Sequence, residues 1–115
     1  MRGKLKKVQE EYALKIKNYL ESLKVFEGWS IRVNFNVDYE FHEYFIIWFN
    51  KDAQLILECE KIPYLRWHTN VFKHWNNLHN TDDVIHRLAS DQCIYINLIK
   101  LAEEYYKESK KILES

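Results

Sequence analysis

Glycine is nearly missing from this chain. It occurs only at positions 3 and 28, and the single proline is Pro63. Phosphate-cradling loops and dinucleotide fingerprints need clustered glycines so that backbone amides can approach the ligand, and both are therefore excluded. Flexible linkers and collagen-like or low-complexity architectures are excluded for the same reason. HExxH, CxxC and EF-hand patterns do not occur, and without a G-x-S-x-G turn no serine stands on a nucleophile elbow. No apolar run approaches the ~20 residues of a membrane-spanning helix. The basic start through Lys4, Lys6 and Lys7 is that of a secretory leader, but Gln9, Glu10 and Glu11 occupy the place of the apolar core. We therefore expect a non-enzymatic protein without a cofactor or a metal, working in the reducing cytoplasm. Cys59, at the end of a predicted strand, and Cys93, in a predicted helix, are expected to be buried thiols.

What the chain does have is apolar and aromatic mass. Its 115 residues are 47% hydrophobic and 16% aromatic, enough for a packed core and too much for a disordered segment. One domain over 1–115 is the expectation at this length. Leu5, Val8, Tyr12, Ile16, Leu20 and Leu23 recur at steps of three and four, which predicts an amphipathic helix closed near Gly28. From Trp29 the period drops to two. Trp29, Ile31, Val33, Phe35, Val37 and Tyr39 alternate with polar residues as far as Glu40, the pattern of an antiparallel strand with one wet face.

Tyr44 to Phe49 is apolar on both parities and reads as a central strand whose second face must be covered by helices or by a partner. Ala53 to Cys59 supplies a third strand. The predicted fold class is α+β: a first helix, a three-stranded antiparallel meander near 29–38, 43–50 and 53–60, and a helical C-terminal half. In this reading Pro63 ends the sheet. A helix then runs from Leu65 to Leu78, another starts at Thr81-Asp82-Asp83, and Ser90-Asp91 divides the helical stretch that leads to the C-terminus. Val33, Phe35, Ile46, Leu55, Leu57, Leu88 and Leu98 are the expected core.

Candidate chemistry is sparse. His68, His74, His79 and His86 are spaced by 6, 5 and 7 residues, none of them the i, i+3 or i+4 step that aims two ligands one way. His42 lies among Asp38, Glu40 and Glu43, a possible proton-transfer set that a solvated loop explains equally well.

Charge is neutral overall, with 17 acids against 17 bases, but it is not evenly spread. Residues 1–24 carry +4, 25–60 carry −5, 61–81 carry +3 and 82–115 carry −2. Such a split field steers charged partners together. The acidic sheet segment also holds large aromatics. We expect Asp38, Tyr39, Glu40, Phe41, Glu43, Tyr44, Trp48 and Asp52 to form an apolar patch rimmed by carboxylates, the signature of a contact surface for a protein with a basic surface.

The alternative is nucleic-acid binding through Lys4, Lys6, Lys7, Arg66, His68, Lys73 and His74, where cations, aromatics and amides interleave. A homodimer is left open, and no membrane is expected as a partner. The helix–three strands–helix order is similar to that of double-stranded-RNA-binding domains. Lys4, Lys6, Lys7 and Arg66 stand roughly where those domains carry their basic contacts. Ile62-Pro63-Tyr64-Leu65 stands near the place of their Lys-Lys-x-Ala-Lys signature. The order also resembles some small phage anti-CRISPR inhibitors, whose acidic sheet occupies a nucleic-acid channel. The functional expectation is thus a small protein-interaction module, an inhibitor of the anti-defence or immunity type.

Overall fold

The computed structural model describes residues 2–50, 53–67 and 75–114. Helix α1 (Arg2–Glu21) is followed by a 3-10 turn (Lys24–Phe26) and by strands β1 (Ile31–Val37), β2 (Glu43–Phe49), β3 (Ala53–Glu58) and β4 (Tyr64–Trp67). Helices α2 (Trp75–Ala89) and α3 (Gln92–Glu114) complete an α+β architecture. All four strands pair antiparallel in the order β1-β2-β3-β4.

The period-two alternation of β1 aims Ile31, Val33 and Phe35 at the same face as Phe45, Ile47 and Phe49 of β2 and Leu55 and Leu57 of β3. This face meets Tyr12, Ile16 and Leu20 from α1, Val84 from α2, and Ile94, Leu98, Ala102 and Tyr105 from α3 in one buried cluster. The cluster centres on rings: Tyr105 packs edge-on against Phe45, with centroids 5.3 Å apart, and against Tyr12 at 5.9 Å. Aromatic pairs in this geometry add to plain area burial.

Five expectations are corrected. The sheet has a fourth strand, because Pro63 ends only the β3–β4 turn: a proline missing its N–H is tolerated just before an edge strand. Residues 64–67 are therefore strand, and the helical spacing read from Leu65 is coincidental there. Thr81-Asp82-Asp83 does not start a helix but lies inside α2. Asp83 instead accepts a 2.9 Å bond from Arg87 one turn later, and fully buried Val84 holds this part of the helix to the core. Cys93 is exposed, unlike buried Cys59. Phe35 and Leu88 are only partly buried, packed at the margin of the cluster.

The division at Ser90-Asp91 is present. Asp91 Oδ1 accepts the Cys93 amide at 2.9 Å and so caps α3.

Candidate functional site

In a meander, alternate turns lie at the same end of the sheet. The β1–β2 turn (38–42) and the β3–β4 turn (59–63) therefore stand side by side. Their proximity shows in the electrostatics, since the charge of Glu60 in the second turn acts on His42 in the first.

The first turn is tightly tied. Phe41 N donates to Asp38 O at 3.0 Å and Asp38 N to His42 O at 3.1 Å. Asp38 Oδ1 accepts from the amides of Glu40 (2.8 Å) and His42 (2.9 Å), an arrangement that short polar side chains favour in turns. His42 Nδ1 lies 3.2 Å from Asp38 Oδ2 and 3.7 Å from Glu40 Oε2. The hydrogen bond to Asp38 and that residue's charge, with Glu40 and Glu60 behind it, hold the imidazole above its ordinary pKa of 6.5. Chiefly through the His42 amide, Asp38 is held below its ordinary 3.8.

Closing the turn requires a residue in the left-handed region, and Phe41 takes it with φ 65°. Glycine or asparagine fits that conformation cheaply, whereas a bulky side chain there is a genuine outlier. The ring gains no packing in return. Phe41 is 84% exposed, Tyr39 is 94% exposed, and Ile62 in the neighbouring turn is 80% exposed. These three are the most exposed large apolar residues among those described, and all lie at this end of the sheet. Asp38, Glu40 and Glu60 surround them, with Lys61 the nearby cation. We call this end of the sheet the crown.

Comparison with protein-family models, with curated proteins and with solved structures gives no match. The crown has to be interpreted from its own chemistry.

The expected contact residues separate into three groups. Asp38, Tyr39, Glu40 and Phe41 come together in the crown. Glu43 turns to the helix side, where its Oε2 accepts the Tyr105 hydroxyl at 2.7 Å. Tyr44 and Trp48 lie on the opposite, outer face of the sheet, and Asp52 is outside the described residues. Sequence inspection counted Glu60 among the acids of the sheet segment but missed Ile62, and it did not join the turn of these two residues to the first. Recognising 64–67 as a strand would have brought their turn beside the first.

The outer face runs in cross-strand rows: Asn36–Tyr44–Glu58–Tyr64, then Asn34–Ile46–Ile56–Arg66, then Arg32–Trp48–Gln54. Ile46 and Ile56 are buried there. Glu58, 3% exposed, holds Arg66 at 2.9 Å through one oxygen, while its Oε2 is buried without a partner. Arg32 covers the Trp48 ring at 4.6 Å, and the indole N–H below is likewise unpartnered.

The alternative basic set is also divided. Lys4, Lys6 and Lys7 are exposed on α1. Arg66 is engaged with Glu58, and His68, Lys73 and His74 lie outside the described residues. No group of three or more His, Cys, Asp or Glu able to hold a metal occurs among the described residues. Burial pushes the Cys59 thiol far above its ordinary range, which leaves it inert as a nucleophile. No described helix is long and apolar enough to cross a membrane.

Proposed function

We propose that this chain is a non-enzymatic interaction module of the cytoplasm that binds a partner protein with a basic surface through the crown. The observation that carries the proposal is Phe41, a bulky ring held at a costly left-handed φ and left in solvent. Strain that the fold does not use for packing is a mark of functional sites. Tyr39 and Ile62 extend the apolar area, and aromatic side chains on a well-braced turn are efficient anchors because little conformational freedom is lost when they dock. Asp38, Glu40 and Glu60 form the acidic rim that selects and steers a basic partner. A small module of this kind acts by occluding the surface it covers, which is the mode of an inhibitor of the anti-defence or immunity type.

The test compares capture from extract of the native host, with and without nuclease, by the parent chain and by a Tyr39→Ser, Phe41→Ser variant. Both side chains are solvent-exposed, so the variant should keep its thermal midpoint to within about 0.5 kcal/mol of stability. The parent should retain a basic protein that elutes with salt and that the variant does not retain. Equal retention by the two chains refutes the crown as the contact surface. Loss of the partner on nuclease treatment favours the lysines of α1 and a nucleic-acid ligand.

A further inference from the structure

At the opposite side of the molecule from β4, strand β1 ends the sheet with β2 as its one strand neighbour. The ladder determines which of its main-chain groups are unused. Asn50 N donates to Ser30 O at 2.7 Å and Asp38 N donates to His42 O at 3.1 Å, so the directly bonded pairs on β1 fall on even numbers. Antiparallel strands alternate bonded and non-bonded pairs. Arg32, Asn34 and Asn36 therefore turn their N–H and C=O groups towards β2. Ile31, Val33, Phe35 and Val37 turn theirs outward, to the open side.

Edges of this kind invite another strand, and proteins usually blunt them with proline, bulges, short length or lysine. β1 is seven residues of regular strand without proline or bulge, and Arg32 is its only charge. Beside it, between α1 and β1, runs a groove of about 400 Å³ floored by Val33 and Phe35 and walled by Ala13 and Leu14, with the charged Lys6, Glu10 and Lys17 of α1 also along that wall. Such a groove can receive the inward side chains of an added strand. Val37, on the same face, is 51% exposed.

We propose that the occupant is a second copy of this chain, added antiparallel through β1 about a two-fold axis at Phe35. The charges select both the occupant and the register. Arg32 is the one charged residue within β1; it lies over the Trp48 ring at 4.6 Å, and among the described residues no carboxylate is paired with it. Asp38 is the acid just past the strand's end. The turn amides of Glu40 and His42 hold its Oδ1, and its Oδ2, which faces His42 at 3.2 Å, has a lone pair left for a second cation. With Phe35 opposite Phe35 of the second copy, Arg32 of each chain falls opposite Asp38 of the other. Asn34 falls opposite Asn36, and exposed Val37 opposite Val33. The Arg32–Asp38 and Asn34–Asn36 pairs occupy non-bonded sites, where side chains approach most closely. The outward groups of Val33, Phe35 and Val37 then form about six main-chain hydrogen bonds across the axis. Moving the axis to Asn34 sets Arg32 opposite Asn36 and loses the charge match. Moving it to Asn36 sets Arg32 opposite Glu40, which lies in the turn beyond the strand rather than on the ladder. The interface is isologous, as two-fold symmetry requires.

Sedimentation equilibrium of the full chain from about 1 µM to about 1 mM covers the range of modest homodimers. The apparent mass should rise from 14.1 kDa to twice that value. Arg32→Glu, which sets like charges opposite each other, should weaken the dimer about tenfold or more while Arg32→Lys retains it. Val37→Pro removes an outward N–H without touching the β2 ladder and should also weaken it. In the parent chain, which needs no variant to fold, added salt should lower the association constant. A single-chain mass at the highest concentration overturns the proposal. So does a dimer that salt leaves unchanged, or one that persists equally in a folded Arg32→Glu or Val37→Pro chain.

Discussion

The cluster around Tyr105 and the turn at 38–42 are built from the same residue types, with opposite outcomes. Around Tyr105, the rings of Tyr12 and Phe45 pack edge-on and that of Phe35 at a tilt, between the sheet and two helices. Within the turn, Tyr39 and Phe41 touch no other ring at packing distance among the described residues and stand in solvent. The two regions adjoin, since Glu43 follows the turn directly and holds the Tyr105 hydroxyl. What separates them is backbone direction. The strand period carries Phe35 and Phe45 inward, and the left-handed step at Phe41 throws the chain outward before that period resumes.

The strongest way to break this contrast is to make one substitution on each side of it. Phe45→Ala empties a fully buried position and should cost about 3–5 kcal/mol in chemical denaturation, with the denaturant slope unchanged. Phe41→Gly should act in the opposite sense. It removes a ring that packs against little and relieves the left-handed strain, so stability should rise by up to ~1 kcal/mol. If Phe41→Gly is instead as damaging as Phe45→Ala, the ring is structural and the functional reading of the crown fails.

Proton linkage at His42 gives the smallest effect. Its folded pKa is raised, so its stabilising pairing with Asp38 is complete below the ordinary value of 6.5 and is lost as pH climbs through the folded value. Asp38 is depressed and works in the other direction: its contribution is present above 3.8 and is lost as pH falls through the folded value. The turn should therefore be best ordered between those limits. NMR titration of the His42 ring should return a midpoint above 6.5, and Asp38→Asn should return it towards 6.5.

Much of the fold was legible in the sequence, and the failures have a common cause. The alternation from Trp29 to Glu40 reports burial on one face directly, so β1 and the period of α1 were readable from residue spacing. Tyr44 to Phe49 read as a central strand, and β2 is an interior strand between β1 and β3. β4 is four residues long, too short for a period of two to stand out against the helical spacing that Leu65 shares with residues further on. Thr81-Asp82-Asp83 has the composition of a cap, but tertiary packing of Val84 overrides that local preference. The crown was half visible. Its first turn was flagged by Asp38, Tyr39, Glu40 and Phe41, while Ile62 and Glu60 join it only through sheet topology, which no local pattern encodes. Glu43 was grouped with the turn by proximity in sequence. Strand parity sends it to the other side.

The packing of α1 on α3 through Tyr12 and Tyr105 has a consequence for how the molecule assembles. Each pair of neighbouring strands is joined by a short turn, so the meander can form from contacts near in sequence, at little cost in chain entropy. The first and last helices are different. They must find each other across the whole sheet, and the inward face of β2 and β3 stays wet until they do. The contact between α1 and α3 therefore closes the longest loop in the molecule, and its entropic cost exceeds that of any single strand pairing.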